Sequence, residues 1–575
     1  MKAQRQFWLV SAAAIAMVAA CETAEDQADP AAPGEVNEAI APLPEQQTVV
    51  IGNEKSAQSR DLAMSAPAPV AGVIPSPAPP PAQPLPGDVD TERYEDVEIN
   101  PVKLVSEEPV STFSIDVDTA AYANVRRFLN DGVLPPKDAV RIEELINYFD
   151  YTYPLPEADS DPFASHVSIA PSPWAEGREL IQIGIQGYDI EREARPPLNL
   201  TLLIDVSGSM SDQNKLPLAK KALAMLIDQL GPDDHVSIAV YAGAAGEILP
   251  PTPGTEKGKI LAAFESLDAG GSTAGGEGLR LAYALAERNL DPDGVNRVML
   301  LTDGDFNVGI NDPERLEDFV SRKRETGIYL SVLGFGQGNY NDALIQKIAQ
   351  TGNGMASYVD TLSEARKILN DDLTANLFPI ADDVKIQVEF NPAKVAEYRL
   401  IGYETRLLNR EDFNNDAVDA GDIGAGASVT AIYEVTPVGS DARLIDDSRY
   451  QAAPTPETSG TEDEYAFLKL RYKRPGEADS TLITRPITVA DLSSDLTEAP
   501  TWARFASAVA GYGMLLRGDP YTAQDWTFDQ VIELAQSAKG DDPFGYRSEF
   551  IQLARLADTA AAQARLEPEG AGVGQ

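Results

Sequence analysis

The chain has 575 residues, with 90 acidic against 46 basic side chains, a net charge of -44 and one cysteine. That balance repels a phosphate backbone and argues against nucleic acid as a partner, and a lone cysteine leaves no internal disulfide. The length exceeds what one core organises and predicts roughly three or four folded units.

Lys2 and Arg5 precede an apolar stretch, Phe7 to Ala19, which is too short to span a bilayer. Small residues follow, and Val18-Ala19-Ala20-Cys21 resembles a bacterial lipobox. The resemblance implies a signal over residues 1–20, cleavage before Cys21 and a lipid on its sulfur. The protein would then be anchored to a membrane of the bacterial cell envelope, on the periplasmic or outer surface. Ordinary secretion with a free thiol is the alternative. Residues 21–94 are rich in Pro, Ala and acids, as in Pro77-Ala78-Pro79-Pro80-Pro81. They cannot bury enough apolar surface to offset ordering entropy and are expected to form a disordered tether.

A second unit, an α+β segment, is expected over residues 95–196. Val110 to Val117 reads as a strand, Tyr122 to Asn130 and Ala139 to Phe149 as amphipathic helices, and Val167 to Ala170 and Leu180 to Ile185 alternate as strands do. Packing against the next unit, or shielding it, is its expected role. Within it, Asp116-Val117-Asp118-Thr119 resembles a phosphatase nucleophile loop, with the paired Asp-x-Asp in which the first Asp attacks phosphorus. No β-α-β succession follows to bring the Lys and further acid that such chemistry needs, so a strand end capped by these carboxylates is the preferred reading.

Residues 197–376 alternate strands with helices. Leu198 to Ile204, Val236 to Tyr241, Arg297 to Thr302, Ile328 to Leu333 and Ala356 to Val359 read as strands. Leu216 to Leu230, Lys257 to Leu267, Gly278 to Arg288, Glu314 to Glu325, Asp342 to Gln350 and Ser363 to Leu373 read as helices, and Glu247 to Leu249 as a short edge strand. That succession predicts a doubly wound, mostly parallel α/β sheet covered on both faces. In such a sheet ligands collect at the carboxyl ends of the strands. Three oxygen-bearing segments fall there: Asp205-Val206-Ser207-Gly208-Ser209, the small-residue loop Gly270 to Gly276 with Thr273, and Thr302-Asp303-Gly304. Oxygen-only ligands suit hard divalent cations.

In order and at these spacings the three motifs resemble the metal-ion-dependent adhesion site of a von Willebrand factor type A domain. The resemblance implies that Asp205, Ser207, Ser209, Thr273 and Asp303 hold Mg2+ (or Mn2+ or Ca2+), some through water. An Asp or Glu carboxylate from a protein partner would complete the shell. Asp305 is read as solvated. The N-terminal segment is similar to the region that accompanies such domains. With the segments beyond Phe378, the chain resembles a bacterial A-domain lipoprotein with a C-terminal domain of uncharacterised function.

Residues 377–495 then read as strands, with Val384 to Phe390, Ser428 to Thr436, Glu464 to Tyr472 and Ser480 to Val489 predicting an antiparallel sandwich. Thr501 to Leu516, Asp525 to Lys539 and Phe544 to Leu556 have helical spacing within 496–560, and 561–575 is an expected disordered tail. Asp412 to Asp416 lacks the glycine and final Glu of a calcium loop and reads as a turn. Arg517-Gly518-Asp519 reads as a helix end capped by glycine, and Gly334 to Gly338 as a strand-to-helix turn without the Lys of a phosphate loop. His166 and His235 form no zinc pair and read as structural. The expected function is cation-dependent, non-covalent binding of a protein partner without catalysis. A metal-dependent phosphohydrolase using Asp116 and Asp118, and an envelope scaffold with no active metal site, are the alternatives.

Overall fold

The computed structural model describes residues 92–566 except 158–160, 193, 272–274, 305–312, 339 and 447–462. The signal-like segment, Cys21, the tether up to residue 91, Thr273, Asp305 and the tail from 567 lie outside the described residues. Among the described residues, no helix is long and apolar enough to cross a membrane.

The chain enters with two short strands, β1 (Lys103–Leu104) and β2 (Val110–Ser114), and two helices, α1 (Ala120–Asn130) and α2 (Ile142–Asn147). Strands β3 (Phe163–Pro171) and β4 (Glu179–Gly187) follow as an antiparallel pair. Helix α1 is apolar on two sides, so Ala120 and Ala123 enter one core while Tyr122, Val125 and Leu129 enter another.

The central segment supplies β5 (Leu198–Asp205), β6 (His235–Tyr241), β7 (Ala245–Pro253), β8 (Val295–Thr302), β9 (Ile328–Phe335) and β10 (Ala356–Val359). They form one sheet in the order β10-β9-β8-β5-β6-β7, parallel throughout except for the antiparallel edge strand β7. The helices are α3 (Leu216–Gln229), α4 (Lys257–Glu265), α5 (Gly275–Arg288), α6 (Pro313–Arg324), α7 (Asp342–Thr351), α8 (Leu362–Arg366) and α9 (Leu373–Leu377).

Period-two alternation along β5 explains why the sheet needs helices on both sides. Leu200, Leu202 and Ile204 pack with α3 and α4, whereas Leu203 packs with α5, α6 and α7. The mostly parallel α/β class expected from the sequence is the fold observed. The helix expected over Ser363 to Leu373 is broken into α8, a π-turn over Lys367–Asp371, and α9.

After α9 come β11 (Pro379–Phe390), β12 (Val395–Ile401), β13 (Gly421–Gly424), β14 (Ser428–Pro437), β15 (Glu464–Lys473) and β16 (Thr481–Thr488). Helices α10 (Thr501–Arg517), α11 (Phe528–Ser537) and α12 (Tyr546–Ala564) close the described chain.

Here the structure departs from the expectation of separate N- and C-terminal units. One sheet runs β1-β12-β14-β4-β3 and the other β13-β11-β15-β16, with β2 added to β11. Both therefore mix strands from before and after the central segment. Ile181, Ile183 and Ile185 of β4 share a core with Ile386, Val388 and Phe390 of β11 and Leu468, Leu470 and Tyr472 of β15. On its other face β4 turns Leu180 toward α10, and Gln182 donates to the Ser507 hydroxyl at 2.8 Å.

The same mixing recurs in the helices, because α10 packs against α2 and α12 against α1, with α11 packed on α10 and α12 in the same core. Arg126 of α1 fastens the arrangement. Its buried guanidinium donates to Asp360 and Glu364 beside β10 and at α8, to Tyr148 at 3.2 Å, and to Glu549 of α12 at 3.0 Å. A buried Arg with this many acceptors is stable only while they all stay in place.

Glu143 on α2 is the opposite case. It is fully buried, and neither carboxyl oxygen makes a hydrogen bond of full geometry. Burial, helped by Glu404, Asp116 and Glu144, pushes its pKa up to about 8. The native state therefore binds a proton that the unfolded chain releases above its ordinary value of 4.5, and stability falls as pH rises from about 4.5 to about 8. Glu143→Gln is expected to flatten that slope and to stabilise the protein above about pH 8 by a few kcal/mol. Thermal melts of both proteins across this range test it, and parallel curves would contradict it.

Candidate functional site

Asp205 is the last residue of β5, and Asp303 follows β8 directly. The parallel register that sets Ile204 opposite Leu301 carries both chains out at the same edge of the sheet. Neither carboxylate is exposed. The Ser207 amide donates to Asp205 Oδ1 at 2.8 Å, which curls the loop back over the strand end. That curl brings the Ser207 and Ser209 hydroxyls within 3.0 Å of each other, with Ser207 buried and Ser209 exposed at the rim. Met210 behind them is buried in the core and pins the short turn Gly208–Ser211.

The glycine-rich loop that begins at Gly270 docks on the Asp205 loop. Gly270 N donates to Val206 O at 2.7 Å, and Gly208 N donates to Gly271 O at 3.1 Å. Helix α5 then begins at Gly275, against Tyr241 at the end of β6. A Cβ at Gly278 would stand 2.8 Å from Tyr241 Cβ, so the close approach of this helix to the sheet requires glycine there. The structure thus brings together Asp205, Ser207, Ser209 and Asp303, while Thr273 on the docked loop lies outside the described residues.

Burial pushes the Asp205 pKa up to about 6, with Asp303 adding to the rise and the Ser207 hydrogen bonds opposing it. Its Oδ2 is a buried atom with no hydrogen bond of full geometry. A carboxylate oxygen held this way, beside two hydroxyls and a second carboxylate, matches the donor set of a hard divalent cation. Among the described residues there is no group of three or more His, Cys, Asp or Glu arranged for a metal. A site at this edge would instead depend on hydroxyls for half of its described donors.

One residue here escaped the sequence reading. Lys215, buried immediately before α3, places its ammonium 3.1 Å from Asp303 Oδ2. A signal was present, because a cation next to a helix N-terminus opposes the helix dipole and needs another reason to be there.

The phosphatase alternative does not survive the geometry. Arg406, carried by the short turn Glu404–Arg406, donates to Asp116 at 2.9 and 3.0 Å and to Asp118 at 2.8 Å. Asp116 also accepts from the Asp118 amide at 2.9 Å, and Asp118 from Ala356 N of β10 at 2.8 Å. Both carboxylates are buried, and an arginine fills the space in front of them where a phosphate would bind. They line a cavity of about 190 Å³ with Arg297, Gln350 and Asp422, at the seam between the central sheet and the sandwich. Their work is structural.

The remaining motifs are also structural. Gly518 caps α10 with φ 66°, Arg517 pairs with Glu404 at 2.9 Å, and Asp519 pairs with Arg399 at 2.7 Å in the interior. Asp412 closes a capping box with Asn409. The His166 ring stacks on Tyr153, and its Nε2 lies 2.9 Å from the Pro154 carbonyl.

Three family models match the chain: "von Willebrand factor" over residues 88–182, "von Willebrand factor type A domain" over 199–371, and "Uncharacterized protein YfbK, C-terminal" over 375–560. Uncharacterized protein YfbK of Escherichia coli is 48% identical over 476 residues, covering 81% of each chain. A human inter-alpha-trypsin inhibitor heavy chain is 31% identical over 185 residues, 30% of this chain and 20% of its own. Among solved structures, a von Willebrand factor type A protein from Catenulispora acidiphila covers 69% of this chain and 91% of its own, at 16% identity and a TM-score of 0.39.

Arg406→Ala would leave Asp116 and Asp118 buried without a counter-charge. It is expected to cost roughly 3 to 5 kcal/mol of stability, read as a lowered denaturation midpoint. Adding Asp116→Asn and Asp118→Asn should recover much of the loss, and a triple variant no more stable than Arg406→Ala would contradict the assignment.

Proposed function

The chain belongs to the YfbK family, with a von Willebrand factor type A domain at its centre, and on that premise we propose that it binds a protein partner in a cation-dependent manner at the bacterial envelope. The observation that carries this reading is the convergence of the Asp205, Ser207, Ser209 and Asp303 oxygens at the carboxyl edge of the parallel sheet, with Asp205 Oδ2 buried and without a hydrogen bond of full geometry. Asp205, Ser207, Ser209 and Asp303 would hold the ion, with Thr273 as the fifth donor. Mg2+ is the favoured ion, with Mn2+ or Ca2+ as substitutes. When bound, the cation supplies an electrophilic point for an Asp or Glu carboxylate of the partner.

The chain's own residues prepare that contact. The Ser207 amide fixes the orientation of Asp205, the docked Gly270–Gly271 backbone holds the loop shape, and exposed Ser209 leaves the rim open to an approaching side chain. Lipid attachment at Cys21 belongs to the same proposal, since it would hold the protein at a membrane surface.

Asp205→Ala is expected to abolish partner capture from envelope extract while leaving the melting curve cooperative, and EDTA should do the same to the wild type. Equal yields from wild type, variant and chelated samples would remove the reading. Cys21→Ala should shift the protein from the membrane to the soluble fraction, and an unchanged distribution would remove the anchor.

A further inference from the structure

We propose that Lys215 is a built-in competitor for the cation at the Asp205–Asp303 edge, so that the site by itself holds a metal ion weakly; the inference rests on the metal reading above. Three features of the structure converge on it. The ammonium lies 3.1 Å from Asp303 Oδ2, with the lysine side chain 7% exposed and the aspartate fully buried. A charge-assisted contact between two buried groups of opposite sign is strong and is not screened as a surface pair would be.

The lysine stem is also held in a slot. Gly336, in the turn after β9, has φ +76°, and a Cβ there would stand 2.3 Å from Lys215 Cε. Both the left-handed backbone and the lack of a side chain at Gly336 therefore make room for the lysine. Finally, helix α3 gains nothing from a cation at this position. Lys215 is its N-cap residue, makes no side-chain cap, and adds positive charge to the positive end of the dipole. Asp303 supplies a partner that the helix does not.

Charge counting gives the consequence. Among the described residues, two carboxylates alone would neutralise a divalent ion, but with the ammonium beside Asp303 they carry one net negative charge. A second cation sharing Asp303 feels like-charge repulsion in a poorly screened setting. An arriving partner carboxylate restores the missing negative charge, so metal loading and acidic-ligand binding are expected to support each other. Lys215 thereby acts as a positioning residue that sets metal affinity without serving as a ligand.

The test is calorimetric titration of the full chain with Mn2+ alone at neutral pH, using wild type, Lys215→Met and Lys215→Arg. Methionine keeps the stem in its slot and removes the charge, whereas arginine keeps the charge. Lys215→Met is expected to bind Mn2+ about tenfold or more tighter than wild type, and Lys215→Arg to stay within about threefold of it. Unchanged or weaker binding by a cooperatively folded Lys215→Met, or tightening of Lys215→Arg to match it, would overturn the inference while leaving the metal reading intact. Absence of heat from all three proteins would overturn the metal reading and the inference with it.

Discussion

The pairing of β4 with β14 is the constraint on which the rest of the structure depends. It aligns Gln186 with Ser428 and runs without a register shift to Glu179 opposite Val435. The segments it joins are separated in the chain by the whole central sheet and its helices. Closing so long a loop costs entropy before any contact forms, although the cost grows only slowly with loop length. The isoleucines of β4 and the alternating apolar residues of β11 and β15 offset it by burial on one side, and α10 covers the other side. The central sheet is in effect an insertion between strands of one sandwich. Arg126 and Arg406 are ion-pair anchors of that insertion, each joining a segment before the central sheet to groups within or after it.

That architecture bears on the oxygen-lined edge. The oxygen cluster lies at the ends of β5 and β8, while the sandwich carboxylates Asp116 and Asp118 are tied up by Arg406 at a seam beside β10. Two aspartate-rich loops with similar local sequences therefore do different work. Asp116 and Asp118 share a bidentate arginine, whereas Asp205 Oδ2 makes no hydrogen bond of full geometry.

The central α/β sheet was legible in the sequence because its signals are local: apolar strand runs, helical spacing, and carboxylates or hydroxyls placed right after strand ends. Asp205, Ser207, Ser209 and Asp303 could be read for the same reason. The distant strand partners of β2 and β4 could not, since an alternating strand states which face is buried but not which distant strand will pair with it. Arg406 lies in an irregular turn far from Asp116, and nothing at the sequence level ties the two. Lys215 could have been found from its poor fit to the start of α3, but a lone lysine before an apolar helix reads first as a solvated side chain.

The central claim is that oxygens from separate loops grip one ion. Crystals of the full chain grown with Mn2+ and measured at the manganese absorption edge test it most directly. The account predicts a single strong anomalous peak at the edge of the sheet, within coordinating distance of Asp205 and the Ser207 and Ser209 hydroxyls, with the Thr273 hydroxyl also directed at it. Diffraction showing the aspartates and serines in place, with no anomalous peak among them, would contradict it.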